Sequence, residues 1–423
     1  MAKNLVLCAD GTCNAFGASS SSNVARLIEF LDLDNARRQV AVYDQGLGTL
    51  ASEHENIERF KTQMEWRLGR SDALQLLPPP EHSKWCPRDW PFLVAAMTAG
   101  WGLETNVGQL YTALVQHYRK DEGDRVFLFG FSRGAFTVRA LAGFVWRFGI
   151  PPDGDGARAQ SIFTRLWPIF RYEFPDTPAL GGAVARAVWA RTGHTDCPIH
   201  FMGLWDTVKS YGGVVPIMLP HLRHNPSVEH VRHALAMDEQ RGWFEATTWG
   251  WLDSDHPSER VPGRGHPVDR ISDHDRQVIA TRDVQEVWFT GCHADVGGGN
   301  GNDRTSHIAL RWMLGEANAH GLRLNGSART FMAEPPDREK PVTRESRTLI
   351  WRLVDRMWRK GIDNGGIWPA HHWARNQSPR PLTNWRKKLI WVHESVTDRS
   401  RFTVPDDHGI ETAHSLRAVQ EWL

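Results

Sequence analysis

A serine between two glycines carries the sharpest chemical signal in this sequence. The residues Gly130-Phe131-Ser132-Arg133-Gly134 have the form G-x-S-x-G and lie between a strongly apolar run and a segment with helical spacing. A sharp strand-to-helix turn of this form exposes the serine hydroxyl, and its glycines leave room for the neighbouring strand and helix. A tight structural turn is the alternative, but the flanking elements favour Ser132 as a nucleophile.

A serine hydroxyl attacks only when a base removes its proton, and that base needs a carboxylate to orient it. On sheets that carry this turn, the groups follow one another in the order serine, acid, histidine. Asp206 comes shortly after an apolar run at 199–204, and His293 follows a run at 286–290. We predict Asp206 as the acid, with a helix N-cap or loop carboxylate as the alternative, and His293 as the base, with loop packing as the alternative. Asp295 competes for the orienting role, and a helix N-cap or a loop role is its alternative.

The negative charge that develops on an attacked carbonyl oxygen requires two backbone N–H donors. One comes from the residue after the nucleophile, which is Arg133 here, and the other from an earlier strand-end loop. Gly11 or Thr12 is the best second donor, because this loop follows the first strand and its glycine permits close approach. Asp10 is expected to tie the loop down.

Short apolar runs alternate with helical patterns, which is typical of βαβ units and a mainly parallel sheet. We predict strands at 5–8, 40–43, 125–130, 199–204 and 286–290, and helices at 23–31, 106–118 and 135–148. The polar residues named above follow strand ends, and ligands of open α/β sheets bind at that edge. The predicted fold class is α/β, an α/β-hydrolase-like, mainly parallel sheet flanked by helices.

Two insertions and an extension are expected around this sheet. Residues 1–325 are predicted to form a catalytic domain, interrupted at about 51–99 by a proline-rich, aromatic cap and at about 207–285 by a segment rich in histidine and tryptophan. Beyond residue 325 the strand-helix alternation fades. Residues 326–423 are therefore predicted to be a helical or irregular extension packed on the catalytic domain.

Composition limits the partners and the compartment. The 50 Lys and Arg residues nearly balance 49 Asp and Glu residues, so no uniform field attracts nucleic acid, and no nucleic-acid partner is expected. None of the five cysteines forms a C-x-x-C pair, which favours a reducing compartment. The start of the sequence lacks an export signal, and no apolar run is long enough to span a bilayer. The protein is expected to be cytoplasmic as synthesised.

Taken together, the motifs resemble an α/β-hydrolase family once filed as a domain of unknown function, which includes the catalytic domain of bacterial type VI secretion phospholipase effectors. The shared motifs extend from residue 5 to about 400 and are Asp10-Gly11-Thr12 with Asn14, Tyr43–Thr49, Leu128–Phe136, Gly203–Val208, Asp238–Arg241 with Phe244, Trp288–Gly299 and His393–Val396. The resemblance implies Ser132 as nucleophile, Asp206 as acid and His293 as base. Asn300 departs from the family, which usually has an aromatic residue there.

Other chemistries are disfavoured. Asp10-Gly11-Thr12 is similar to an aspartyl-phosphatase signature, but Cys8 stands where that chemistry needs an aspartate, and the glycine-rich turn lacks the lysine of a phosphate-binding loop. A metal site among the histidines at 221, 224, 230 and 233 is disfavoured, because spaced histidines on helices are usually solvated or packed, and the segment 295–303 does not match an EF-hand. We therefore predict neither a metal nor a cofactor.

The resulting hypothesis is a serine hydrolase of carboxylic esters, with a phospholipase A-like or lipase activity on a small-molecule or lipid ester. A catalytically idle binding module, and an acyltransferase or thioesterase on the same residues, are the alternatives. Residues 351–360 place tryptophans and cations on one helical face, which would suit peripheral membrane contact, although a core-facing helix is favoured. The family implies delivery by a non-classical secretion system. The oligomeric state stays open.

Overall fold

A computed structural model describes most of the sheet and the helices around it. The described residues are 2–11, 21–45, 72–78, 91–172, 178–208, 224–241, 246–249, 273–299, 303–333, 389–394 and 409–413, with shorter pieces at 211–212, 215–216, 219, 221–222, 244, 301 and 396. Thr12, Asn300, the segment 351–360 and most of the predicted cap at 51–99 lie outside them.

Nine strands of the described residues form one sheet in which every neighbouring pair is parallel. They are β1 (Asn4–Ala9), β2 (Gln39–Asp44), β3 (Leu74–Leu76), β4 (Arg125–Phe131), β5 (Ile199–Trp205), β8 (Val228–Ala236), β9 (Asp283–Phe289), β10 (Leu389–His393) and β11 (Gly409–Ala413). A separate antiparallel pair consists of β6 (Tyr211–Gly212) and β7 (Val215–Pro216). The mainly parallel α/β sheet predicted from the sequence is confirmed.

The order across the sheet is β11-β10-β9-β8-β5-β4-β1-β2-β3. The chain runs outward from β1 to β3, then returns to the other side of β1 and continues through β4 and β5. The direction of winding therefore reverses between β1 and β4. In open α/β sheets, the crevice outside the carboxyl ends of the strands at such a reversal is where ligands bind.

Helices cover both faces of the sheet. They are α1 (Asn23–Phe30), α2 (Pro91–His117), α3 (Arg133–Phe148), α4 (Gly156–Tyr172), α5 (Pro178–Thr192), α6 (Asp273–Ala280), α7 (His293–Gly297), α8 (Asp303–Ala319) and α9 (Gly326–Ala333). Helix α1 begins as predicted, because the Ser22 side chain accepts the Ala25 N–H and satisfies one of the free donors at its start. No helix among the described residues is long and apolar enough to cross a membrane.

Two hydrophobic cores follow from the alternation of side chains along each strand. Leu5 and Leu7 of β1 pack in the core beneath α2, α3 and α4, whereas Val6 and Cys8 pack in the core beneath α1 and α8. Because both faces are covered, the strand is buried at every position and apolar from Leu5 to Ala9. This is why β1 and β4 are such clear strands in the sequence.

The prediction that residues 207–285 form an insertion outside the sheet is wrong for strand β8, which this segment contains. It lies in the middle of the sheet between β5 and β9, so its histidines lie on a strand and not on helices. The pattern Val228-Glu229-His230-Val231-Arg232-His233 conceals a buried strand, because its polar residues are satisfied by partners on neighbouring elements. His233, for example, is fully buried against Glu286 of β9.

The carboxyl-terminal part also differs from its prediction. Where a helical or irregular extension was expected, β10 and β11 extend the sheet beyond β9. Val392 of β10 packs with Trp288 of β9 in a small third core. The predicted strand-helix alternation fades here because the strands are short and lie among polar and proline-containing sequence. The predicted cap at 51–99 likewise contains a sheet strand, β3, and the first turns of α2.

Candidate active site

Ser132 occupies a strained turn between β4 and α3. Its backbone has φ 58° and ψ −121°, a conformation that non-glycine residues rarely adopt and that costs about 1–3 kcal/mol. Both flanking glycines are required: a Cβ on Gly130 would approach the Ala135 backbone to 2.6 Å, and a Cβ on Gly134 would approach the Ala9 carbonyl oxygen to 2.1 Å. The turn thus brings α3 against the end of β1, at the point where the winding reverses.

His293 links Ser132 to Asp206 through hydrogen bonds. Its Nε2 lies 2.8 Å from Ser132 Oγ, and its Nδ1 lies 2.6 Å from Asp206 Oδ2. Because an ionised carboxylate only accepts, Nδ1 carries the proton and Nε2 is free to accept the serine proton. The three residues come from the ends of β4, β5 and β9, which are separate in sequence but meet at one edge of the sheet.

Asp206 and His293 are both buried. Asp206 is fully buried with φ 38°, and its second oxygen accepts the Ala236 N–H at 3.0 Å. Burial lowers the pKa of His293, while the Asp206 carboxylate opposes that shift. The histidine is therefore neutral near pH 7, which is the state a general base needs.

Asp295 has a different position from Asp206. Its Oδ2 accepts the Cys292 N–H at 3.1 Å, and its own N–H donates to the Cys292 side chain, which together make a capping box at the start of α7. The Nδ1 atom of His293 is occupied by Asp206. Asp295 is therefore the third residue of α7, where its carboxylate binds the backbone of the N-cap residue Cys292, and Asp206 is the carboxylate that contacts the imidazole.

Asp10 forms three hydrogen bonds around the loop after β1. Its carboxylate accepts the Ser22 hydroxyl at 2.5 Å, the Tyr43 hydroxyl at 2.7 Å and the Gly11 N–H at 2.7 Å. Burial raises the pKa of Asp10 to about 6, against the lowering effect of these three donors. The Gly11 amide is thus engaged, and it would have to exchange partners to meet a substrate. Arg133 begins α3 beside the serine, so its amide lies at a helix N-terminus.

Glu239, Arg241 and Phe244 surround His293, and the sequence analysis did not predict a role for them. Glu239, which is fully buried, accepts the His293 backbone N–H at 3.2 Å and two N–H groups of the Arg241 guanidinium at 2.8 and 2.9 Å. The Phe244 ring meets the imidazole edge at a centroid distance of 4.8 Å, and Arg241 lies over that ring. The motif at 238–241 with Phe244 was the available signal, but spacing alone did not show that it reaches His293.

A second buried histidine-carboxylate pair supports the Asp206 loop. His233 Nδ1 lies 2.8 Å from Glu286 Oε1, and His233 Nε2 accepts the Thr207 N–H at 3.1 Å. Since Nε2 accepts, the proton lies on Nδ1 and the ring is neutral, which agrees with the pKa of His233 being lowered by burial. Thr207 follows Asp206 directly, so this pair fixes the backbone beside the acid.

The parallel sheet, with helices on both faces and a strand-turn-helix turn at its winding reversal, defines the chain as an α/β protein. Residues 3–316 match the family model described as "T6SS, Phospholipase effector Tle1-like, catalytic domain". This match covers well over half of the 423 residues. The chain belongs to the family of Tle1-like phospholipase effector catalytic domains.

Individual relatives are more distant. An uncharacterized protein of Saccharomyces cerevisiae, YEL023C, is 29% identical over 248 residues, which are 57% of this chain and 32% of the relative. The chain thus spans about a third of the length of that relative. Similar solved structures include an uncharacterized protein from Pseudomonas aeruginosa, with 19% identity and TM-score 0.36 over 89% of this chain and 52% of that one. Another is the Tle1 effector bound to the VgrG spike of the Type 6 secretion system, with 13% identity and TM-score 0.31 over 97% and 94% of the two chains.

Proposed function

We propose that this protein is a serine hydrolase that cleaves carboxylic esters of lipids, with a phospholipase A-like or lipase activity. The observation that carries the proposal is the hydrogen-bonded series from Ser132 through His293 to Asp206, at 2.8 and 2.6 Å. Membership in a family described by phospholipase effectors supports a lipid ester as the substrate class.

Acyl transfer to the enzyme is the first half of the reaction. Ser132 Oγ attacks the acyl carbon while its proton moves to His293 Nε2, and Asp206 stabilises the resulting imidazolium. The Arg133 amide and an amide of the loop after β1, from Gly11 or Thr12, hold the negative oxygen. As the tetrahedral intermediate collapses, the leaving alcohol takes the proton from His293, and an acyl group remains on Ser132.

Water completes the cycle. His293 takes a proton from water as its oxygen attacks the acyl carbon, and then returns that proton to Ser132 Oγ as the carboxylic acid leaves. No step requires a group other than the side chains and amides named above. Peripheral contact with a lipid surface would deliver the ester to the carboxyl edge of the sheet.

Covalent labelling tests the proposal directly. A fluorophosphonate probe should label the wild-type chain and fail to label Ser132→Ala, and the same variant should release fatty acid from phospholipid and triglyceride vesicles at least about 10³-fold more slowly. Ser327→Ala is the matched control, because this exposed serine lies on α9 and donates to Asn325. It should label and hydrolyse like the wild type.

Other outcomes favour the rival functions. A folded wild-type chain that neither reacts with the probe nor releases fatty acid would be a binding module. Product that appears only with an added alcohol or thiol acceptor would indicate an acyltransferase, and preference for a thioester would indicate a thioesterase.

Family membership further supports export of this chain as an effector. A comparison of culture supernatants from producers with and without a type VI system would test this.

A further inference from the structure

The opposite edge of the sheet, where β5, β8 and β9 begin, gathers a second group of ionisable side chains. His200 lies near the start of β5, Glu229 and His230 near the start of β8, Asp283 begins β9, and His320 follows α8. Within the described part of the chain, two sets of potential metal ligands lie with their atoms all within 4.8 Å, and both sets include His230. One set adds His200 and Glu229, and the other adds Asp283 and His320.

Hydrogen bonding at His200 leaves two acceptors facing each other. His200 Nε2 lies 2.9 Å from the His320 carbonyl oxygen, which only accepts, so Nε2 carries the proton. In a neutral imidazole, Nδ1 then presents its lone pair. That atom lies 2.9 Å from Glu229 Oε2, a carboxylate oxygen that also only accepts. A cation between the two atoms resolves this conflict, and it is either a second proton or a metal ion.

His230 is oriented in a way that leaves its other nitrogen available. Its Nδ1 lies 3.2 Å from Asp283 Oδ2, so Nδ1 donates and Nε2 retains its lone pair. A carboxylate that fixes the tautomer of a histidine through the nitrogen distal to the ion is the usual outer partner of a metal-bound imidazole. The His320 carbonyl does the same for His200.

Arg232 distinguishes the two sets. Its guanidinium lies 2.7 Å from Asp283 Oδ2 and 2.5 Å from Glu316 Oε2, so Asp283 already faces a permanent positive charge. Bringing a divalent ion to Asp283 would place it beside that guanidinium. Glu229 instead forms its ion pair with His200, whose charge depends on a proton. The set of His200, Glu229 and His230 is therefore the better cation site.

We propose that His200 Nδ1, Glu229 and His230 Nε2 bind a divalent transition-metal ion of the zinc class, a site separate from the proposed catalytic residues. Two imidazole nitrogens and one carboxylate are ligands that Zn²⁺ favours over Ca²⁺ or Mg²⁺, which prefer oxygen alone. Bonds of about 2.1 Å at a tetrahedral angle separate ligand atoms by about 3.4 Å. His200 and Glu229 need to part by about half an ångström from their 2.9 Å separation.

The position of the proposed site determines both how the ion enters it and what the bound ion does. The side chains of His200, Glu229 and His230 are 20%, 39% and 29% exposed, so the ion can enter from solvent and keep a water as its fourth ligand. The ion would join the amino ends of β5 and β8 on the edge opposite Ser132. We therefore expect it to stabilise the sheet and not to take part in ester hydrolysis.

Metal titration of the full chain tests the proposal. After treatment with EDTA, the wild type should bind Zn²⁺ in calorimetry and give visible Co²⁺ absorption, whereas His230→Gln and Glu229→Gln should bind at least about 100-fold more weakly, since losing even an outer partner costs about 10–100-fold. His320→Gln is the matched control, because it keeps the carbonyl that His200 uses. It should bind with nearly wild-type affinity.

Three results would overturn the assignment. One is a wild-type chain that binds no Zn²⁺, which would mean that protons occupy these histidines. Another is Zn²⁺ binding that is equally tight in Glu229→Gln, which would place the ion elsewhere. The last is loss of binding in His320→Gln with retention in Glu229→Gln. Circular dichroism in EDTA controls for folding, and Glu229→Gln carries the test if His230→Gln misfolds, because the Glu229 side chain is 39% exposed.

Discussion

At the scale of single residues, the chemistry depends on which carboxylate faces which nitrogen. Asp295 is two residues from His293 and Asp206 is 87 residues away, yet Asp206 holds the imidazole Nδ1 while Asp295 caps the helix that begins at His293. Sequence proximity is a poor guide here, because the first turn of α7 directs the Asp295 carboxylate back to the Cys292 amide. The pair of acids therefore allows a matched comparison.

Asp206→Asn and Asp295→Asn should separate chemistry from stability. Replacing Asp206 with asparagine should lower kcat by about 10⁴-fold, because the amide favours the wrong histidine tautomer. Asp295→Asn keeps an oxygen for the Cys292 N–H, so it should leave kcat within about tenfold and cost about 1 kcal/mol of unfolding free energy. Steady-state hydrolysis and urea denaturation measure the two effects. Equal losses of kcat in both variants would contradict the proposed role of Asp206.

The pKa of His293 predicts the acid limb of the activity profile. Burial lowers this pKa below its ordinary 6.5, although the Asp206 carboxylate raises it in part. Only the neutral imidazole can accept the serine proton. Activity should thus persist as pH falls to 6.5 and decline only below it. The kcat/KM profile of the wild type measures this, since it reports the free enzyme. If the midpoint of the acid limb lies at or above pH 6.5, either a different group governs the rate or the pKa of His293 is not lowered.

At the scale of elements, the strand-turn-helix unit β4–α3 is positioned by close backbone contacts that its glycines allow because they have no Cβ atom. Gly134 lies where the helix crosses the end of β1, so the same close contact that shapes the turn also brings the Asp10 loop to Ser132. The sequence predicted this unit because a strongly apolar run precedes the motif and a segment with helical spacing follows it. The buried strand β8 was not predicted, because its satisfied polar residues hide the apolar pattern.

Gly134→Ala should disrupt the turn. Its Cβ would lie 2.1 Å from the Ala9 carbonyl oxygen and 2.5 Å from that of Asp10, so backbone must move. We expect a loss of about 3 kcal/mol in the free energy of unfolding. Gly326→Ala is the control, since a Cβ there would meet no atom within 4 Å apart from its chain neighbours and its own helix backbone, and it should be neutral or slightly stabilising. Denaturant unfolding compares the two. Equal stability would show that β1 and α3 are not in this close contact.

At the scale of the whole molecule, the sheet separates two kinds of site. The carboxyl ends of β4, β5 and β9 carry the Ser132, Asp206 and His293 series, and the amino ends of β5 and β8 carry the proposed metal ligands. The family match covers residues 3–316, and β10 and β11 follow it in the sequence and extend the same sheet. The two groups lie on opposite edges of the sheet, because the like ends of parallel strands lie together.

The amino-acid sequence by itself determined the α/β class, the serine turn and the order of the three candidate residues, because each is written in local periodicity or chain order. Tertiary structure alone decided which acid meets His293, that Glu239 and Phe244 surround it, and that His200, Glu229 and His230 converge. Those contacts join strands tens of residues apart, and their distances depend on sheet order and register. No local pattern encodes either quantity.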